Sequence, residues 1–489
     1  MPTPPFLRHY KMEKCLYPGD LCSPSENLKI GKKRDRKKTS LSRLHLMATF
    51  VMSVCKMAKI KIGLVGFGTV GVGVCKILQE QAELIKRRSN AEFEVVKVAM
   101  RDVNKKREIT LPSEAATTDW QEVVNHPDVN LVVELIGGTT TAFEVVSSAL
   151  KLGKPVVTGN KALLAERGEE LFALAQQQNT PIYFEASVAG GIPIIKTLRE
   201  AFVGNEVLNL AGIINGTCNY ILERMTDAGL SYQDALKEAM DLGYAEADPT
   251  LDINGWDAGH KAILLGAMSY GFLPDPAQTY VTGIENVQLS DITLADKLGY
   301  AIKLVSVIKP ASESTVEIRT QASFVPKTHL LAKVDGVFNA VAISGDTVGD
   351  SFIYGRGAGE GPTATAVVAD LVDAAQSVGG THRGYQPYDA SSYSVAPIEE
   401  TVTAYFVNLD VKDEPGVMAT ITSAFSDHGI SFSGTFSNVD PQAPDAEMNQ
   451  VSFITHAAKL GALQEALSNV EKLDCVTAQP RYYRVESFS

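Results

Sequence analysis

Residues 60–71 read Ile60-Lys61-Ile62-Gly63-Leu64-Val65-Gly66-Phe67-Gly68-Thr69-Val70-Gly71, a short apolar run leading straight into a G-x-G-x-x-G. The pattern predicts a buried strand over 60–66, followed by an amphipathic helix from about 70 to 86. A G-x-G-x-x-G alone is a weak signal, but strand before and helix after make it a dinucleotide cradle. Gly66 turns the chain, Gly68 lets the backbone approach a pyrophosphate, and Gly71 lets helix and strand pack closely. The helix N-terminus offers unpaired N–H groups to the anion. Gly66, Phe67, Gly68, Thr69, Val70 and Gly71 are therefore the expected cofactor contacts.

Further strands are expected at 93–100, 131–136, 156–157 and 182–184, alternating with helices over 142–152 and 168–178. That order predicts an α/β architecture with an open parallel sheet, a Rossmann nucleotide-binding domain. At the end of the second strand, Arg101 precedes Asp102, with Lys105 and Lys106 close behind. An arginine there pairs with a 2′-phosphate, which favours NADP, with NAD tolerated because Asp102 is adjacent. Lys161, just after the strand at 156–157, falls at the carboxyl edge where such sheets bind ligands.

The bulk composition agrees. With 489 residues and 45% hydrophobic residues the chain has the length for about three domains. Its net charge of -12 is uneven: residues 1–58 carry +8 and the rest -20. An acidic body argues against nucleic acid as the main partner. The apolar stretch at 44–54 is too short to span a membrane, so no membrane partner is expected. Residues 1–57 read as a basic, disordered extension, and acids within them argue against a transit peptide. Six cysteines without a C-x-x-C pair fit a reducing, cytoplasmic setting, with organelle targeting as the minority reading.

A second informative stretch is Tyr244–Lys261, YAEADPTLDINGWDAGHK, which gathers Glu246, Asp248, Asp252 and Asp257 near one lysine. From Asn254 the pattern turns helical, so Asp257 and Lys261 stand four apart on one face. Acids around a lysine usually make a solvated salt-bridge face. In a pocket, though, the same groups suit acid–base chemistry, with the ammonium as proton donor. A buried carboxylate such as Glu246 can hold a cationic group by a charge-assisted hydrogen bond. The turn Asn215-Gly216-Thr217-Cys218-Asn219 reads equally well as a capped helix start or as a substrate contact through Thr217.

Four segments together carry a family resemblance: GFGTVG at 66–71, EASVAGGIPII at 185–195, GIINGTCNYIL at 212–222 and YAEADPTLDINGWDAGHK at 244–261. From residue 58 onward the chain resembles homoserine dehydrogenases without an attached kinase. The family interconverts L-homoserine and L-aspartate 4-semialdehyde with a nicotinamide cofactor, on the route to threonine and methionine. The resemblance implies Lys261 as proton donor, Glu246 and Asp257 as substrate-holding acids, and Lys161, Gly243 and Gly359 as cofactor-adjacent positions. It also implies a monovalent cation, sodium, held by Glu185 with the carbonyls of Val188, Gly190 and Ile192. A substrate domain over 187–378 would build the subunit interface of a homodimer or tetramer. A phosphorylating aldehyde dehydrogenase would want a cysteine nucleophile with a base, which is not visible. A non-catalytic nucleotide and amino-acid sensor on the same scaffold is the remaining alternative.

Beyond a Gly/Pro/Ser-rich linker at 379–400, residues 401–489 show a βαββαβ order with Asp413-Glu414-Pro415-Gly416 after the first strand. That order is ferredoxin-like. It resembles an ACT regulatory domain, which implies an amino-acid effector, threonine by family analogy.

Overall fold

The computed structural model describes residues 57–246, 248–377, 392–438 and 448–488, so the expected extension and most of the expected linker lie outside the described residues. The strand opening the fold is β1 (Ala58–Val65). With β2 (Ala91–Ala99), β3 (Ala116–Thr117), β4 (Leu131–Glu134), β5 (Val156–Thr158) and β6 (Ile182–Tyr183) it forms a parallel sheet in the order β3-β2-β1-β4-β5-β6. Alternation along these strands sorts their side chains onto two faces. Ile60, Ile62, Leu64, Leu131, Val133 and Val157 pack on one face under the helices Thr69–Glu80 and Glu360–Gln376. Val65, Val132, Val156 and Ile182 pack on the other, under Thr141–Lys151 and Lys161–Gln177. Covering both faces is what an all-parallel sheet requires. The helix Glu360–Gln376 thus returns from the far end of the substrate domain to complete the nucleotide-binding core.

One expected helix is interrupted. The helix predicted over 70–86 is two, Thr69–Glu80 and Ala82–Ser89, broken at Gln81. The second fully buries no residue and meets the core through half-buried Ile85.

The substrate domain contributes β7 (Val207–Ile213), β8 (Tyr280–Val281), β9 (Tyr300–Pro310), β10 (Thr315–Pro326), β11 (Phe338–Gly345) and β12 (Gly349–Arg356). After them come β13 (Ser394–Val395), β14 (Val402–Lys412), β15 (Phe432–Asn438), β16 (Met448–Thr455), β17 (Ala458–Lys459) and β18 (Arg481–Val485). The last unit is the expected ferredoxin-like one, its strands ordered β18-β14-β16-β15 with antiparallel neighbours and helices Val417–Ser426 and Leu460–Val470.

It is not a separate layer. β18 pairs in parallel with β10, Ser323 opposite Arg484 and Phe324 opposite Val485, so one continuous sheet runs through both domains. The described end of the expected linker is bound as well. Ser394 and Val395 pair with Thr315 and Val316 of β10, and Tyr393 lies against Tyr270 and Phe272.

Candidate active site

The glycine loop divides its labour on steric grounds. Gly66 sits at φ +110, and a Cβ there would meet the Leu135 carbonyl oxygen at 2.5 Å. A Cβ on Gly71 would meet the Gly66 carbonyl oxygen at 2.3 Å, so helix and turn touch backbone to backbone. A Cβ on Gly68 would meet nothing within 4 Å, which leaves open space where a ligand approaches. Gly68 is also the N-cap of the helix Thr69–Glu80, whose first N–H groups no side chain caps. Open space beside uncapped N–H groups fits the pyrophosphate of a dinucleotide. Phe67 packs in the core, and its carbonyl accepts from Arg107 Nε at 2.9 Å. Arg107 also donates to the carbonyls of Asp102 and Lys105, shaping the loop that exposes Arg101.

The second half of the site grows from the helix Trp256–Tyr270, started by Gly255 at φ +87. One turn of that helix brings Lys261 Nζ 2.7 Å from Asp257 Oδ2, and the ammonium also donates to the Ile214 carbonyl at 2.7 Å. Two of its three N–H donors are thereby engaged, leaving one for another acceptor. Lys161, the first residue of the helix Lys161–Gln177, reaches Asp257 Oδ1 at 3.1 Å. Asp257 therefore joins the nucleotide-binding domain to the substrate domain.

Asn215 closes the arrangement. As N-cap of the helix Gly216–Ala228 its Oδ1 accepts from the Cys218 N–H. Its Nδ2 donates to Asp252 Oδ1 at 2.6 Å and to Asp257 Oδ2 at 2.8 Å. Burial alone would push Asp257 up. The Lys261 and Lys161 ammonium groups, with hydrogen bonds from Lys261 and Asn215, outweigh it and hold the carboxyl well below the usual range. Asp252 goes the other way, raised by burial and by the Asp257 charge. His260, on another face, is lowered by burial and lies against Trp256.

The remaining expected residues are placed as follows. Glu246, expected as a buried carboxylate, is exposed. It follows the helix Tyr232–Asp241, in a loop whose Pro249 delays the next helix until Thr250. Gly243, at φ +73, ends that helix in the left-handed turn glycine accommodates. Thr217 is buried and spends its hydroxyl on the Tyr244 carbonyl at 2.8 Å, tying this loop to the helix Gly216–Ala228. Gly359, at φ +119, is the N-cap of Glu360–Gln376. Asn215 and Asp252 were not among the expected site residues, although both lie in segments that carry the resemblance. Their partnership joins positions 37 apart, which no local pattern reveals. A cavity of about 720 Å³ lined by Tyr232, Glu285, Gln321 and Arg481 lies at the seam with the C-terminal unit and includes none of these groups.

The cation expectation meets a mixed donor set. Both Glu185 carboxylate oxygens accept backbone N–H groups, from Ile195 at 3.0 Å and Lys196 at 2.7 Å. Burial pushes this carboxyl up to about 7. The buried carbonyls of Val188 and Gly190 accept from no described residue, and the Ile192 carbonyl accepts only from Ile194 at 2.8 Å. Among the described residues no group of three or more His, Cys, Asp or Glu side chains could hold a metal ion, and the Val188 and Gly190 carbonyls are the oxygens that would be open to a monovalent cation.

With this geometry in place, comparison with known proteins is specific. Family models match along the chain: "Homoserine dehydrogenase, NAD binding domain" over residues 66–185, "Homoserine dehydrogenase" over 193–372 and "ACT domain" over 405–472. The homoserine dehydrogenase of Neisseria gonorrhoeae is 41% identical over 421 residues, covering 85% of this chain and 96% of that protein. That of Pseudomonas aeruginosa is 39% identical over 423 residues, with the same coverage. Among solved structures, a homoserine dehydrogenase from Thiobacillus denitrificans aligns with a TM-score of 0.82 at 40% identity, covering 88% of this chain and 99% of that one.

Proposed function

This chain belongs to the homoserine dehydrogenase family, an oxidoreductase acting on the CH–OH group of L-homoserine with a nicotinamide cofactor, and from that premise we propose how its own residues do so. The observation that carries the reading is the Lys261 ammonium, anchored to Ile214 and Asp257 with one N–H to spare. That N–H meets the semialdehyde oxygen and transfers its proton as the alcohol forms. In the reverse direction Lys261 takes the proton back. When bound, the nicotinamide accepts or supplies the hydride.

Asp257 stays ionised beside two lysines, so it holds Lys261 in place and offsets the cation's burial. Glu246, at the surface of the same loop, meets the substrate ammonium as the site fills. The Val188, Gly190 and Ile192 carbonyls, with Glu185, would hold a monovalent cation such as sodium, which would fix the conformation of the 185–192 turn. The described cysteines Cys75, Cys218 and Cys475 are unpaired, which supports a cytoplasmic setting. Exposed Val348 and Tyr354 at the β12 edge support a homodimer built on that sheet.

NADP is the preferred cofactor in this reading. Arg101 is exposed at the end of β2 with no ion-pair partner among the described residues, so it is available to a 2′-phosphate. Arg101→Ala is expected to weaken NADP binding by about 10–100-fold, the worth of one charge-assisted hydrogen bond, and to leave NAD binding nearly unchanged. Titration of both dinucleotides by fluorescence checks it; equal losses for the two would remove Arg101 from the specificity argument.

The reading as a whole is tested by assaying L-homoserine oxidation with NADP and NAD, with and without L-threonine. Turnover inhibited by threonine is the expected result, because the C-terminal strands are continuous with β10 of the substrate domain. Turnover indifferent to threonine would make that unit a brace rather than a sensor. No turnover with either cofactor, despite nucleotide binding, would favour the sensor alternative.

A further inference from the structure

Glu134 is a fully buried carboxylate that the mechanism above does not use. It ends β4, flanked in register by Val65 of β1 and Thr158 of β5, at the carboxyl edge of the nucleotide-binding sheet. A charge there is costly unless several donors meet it. Its Oε1 accepts the Ile136 N–H at 2.8 Å and its Oε2 accepts the Thr158 hydroxyl at 2.6 Å. Thr158 Oγ1 in turn accepts the Asn160 N–H at 3.0 Å. Asn160 Nδ2 donates to the Gly138 carbonyl at 2.7 Å, and its Oδ1 caps the next helix through the Leu163 N–H.

These bonds close a ring. They tie the turn at 136–138, where Gly137 and Gly138 both sit at φ +72, to the loop at 158–161. The residue leaving that loop is Lys161, whose ammonium lies 3.1 Å from Asp257. Burial pushes Glu134 above the usual carboxylate range, against the Thr158 hydroxyl, the Ile136 and Gly137 N–H groups and the Asn160 side chain, all of which favour the charged form. Such a group is poorly suited to a purely stabilising role, since an apolar residue could fill the same space at lower desolvation cost.

We propose that Glu134 is a positioning residue for the reaction, setting through Thr158 and Asn160 the backbone from which Lys161 reaches Asp257. It touches neither lysine nor Asp257, so its effect passes wholly through the ring. The inference rests on the reading above that Lys161 and Asp257 belong to the active site. Glu134→Gln keeps the shape but replaces one accepting oxygen with an NH₂, and Thr158→Val removes the link itself. Each is expected to lower kcat by about 10–100-fold, the cost of a reacting group displaced by a fraction of an ångström to an ångström. Dinucleotide affinity should stay near that of the parent, and Thr158→Ser should restore the rate.

The deciding experiment is a double-mutant cycle on the full chain, measuring kcat/KM for L-homoserine and dinucleotide binding by fluorescence. If Glu134 acts through Lys161, Glu134→Gln adds little further loss once Lys161 is alanine. Losses that multiply, or a Thr158→Val enzyme with parental kcat, would overturn the positioning role while leaving the active-site reading intact. Lys161→Ala with undiminished turnover would sink both. Should Glu134→Gln fail to fold, the Thr158→Val and Thr158→Ser pair crossed with Lys161→Ala decides the matter alone.

Discussion

Lys261→Ala is expected to lower kcat for L-homoserine oxidation by about 10²–10⁴-fold, the usual contribution of a positioned acid–base group, with dinucleotide affinity little changed. In the proposed mechanism Lys261 has two separable duties: it stabilises developing charge on the substrate oxygen, and it carries the proton that the oxygen gains or loses. Lys261→Arg separates them. Arginine keeps a cation in hydrogen-bond reach of Ile214 and Asp257 but cannot release a proton near neutral pH. Its kcat should therefore stay close to that of the alanine enzyme. The alanine variant also leaves Asp257 with Lys161 and Asn215 alone, so the largest opposing influence on its burial is gone and its carboxyl rises. Steady-state kinetics of the three enzymes across pH, alongside dinucleotide titrations, is the measurement. An arginine enzyme as active as the parent would assign Lys261 to charge placement only, and an active alanine enzyme would remove it from the chemistry.

The parts of this site legible in the sequence are those fixed by short-range geometry. Gly66, Gly68 and Gly71 are spaced by the sterics of one turn, and their surroundings match that spacing, two pressed against backbone and one facing open space. Asp257 and Lys261 are set by a single helical turn, so their contact could be read before any fold was known. Lys161 was placed at the sheet edge by strand order, but its partner was not visible. That pair joins two domains, and it exists because Lys161–Gln177 and Trp256–Tyr270 pack together. The turn at 215–219 reads equally well as a helix cap or a substrate contact; Asn215 caps the helix, and only the tertiary fold gives its amide two carboxylates. Glu246 illustrates the opposite error. An acid expected to bind an ammonium was taken as buried, yet it lies in a surface loop between two helices, where its neighbour Ala245 turns inward and Glu246 is exposed. The sequence order also implied a regulatory unit on a linker, whereas β18 joins the substrate-domain sheet. Sheet extension between domains depends on edge hydrogen bonds, which carry almost no sequence signal.

Arg319→Met is expected to destabilise the fold by about 3–5 kcal/mol, the typical result of stripping one partner from a buried ion cluster. Arg319 of β10 is almost wholly buried. It donates to both Glu486 carboxylate oxygens, at 2.8 and 2.7 Å, and to Glu317 at 2.6 Å. Arg484 of β18 completes the group at 3.7 Å from Glu317, and it donates to Thr401 at 2.7 Å. Two arginines thus face two glutamates at the β10–β18 seam, with Lys309 at the margin.

Burial would raise Glu486, but Arg319 chiefly, with its hydrogen bonds, holds that carboxyl below the usual range; Glu317 is lowered likewise. In the parent these two groups stabilise the fold above the unfolded carboxylate value of about 4.3. That contribution disappears as pH falls through their lower folded values. Without Arg319 burial dominates and Glu486 is raised instead. The sign then reverses, and the variant should lose stability as pH rises from mildly acidic toward neutral.

Arg319→Met combined with Glu486→Met removes one charge of each sign and leaves Glu317 with Arg484 and Lys309. The double variant should therefore be more stable than the Arg319→Met single, despite carrying one more substitution. Denaturant unfolding of the three proteins at pH 5 and pH 8 reads both effects. A single variant within about 1 kcal/mol of the parent at pH 8 would show that the seam relies on its apolar stacking of Phe324, Phe406 and Tyr483 rather than on charge pairing. The expected order instead makes Arg319 the residue that commits the C-terminal sheet to the substrate domain.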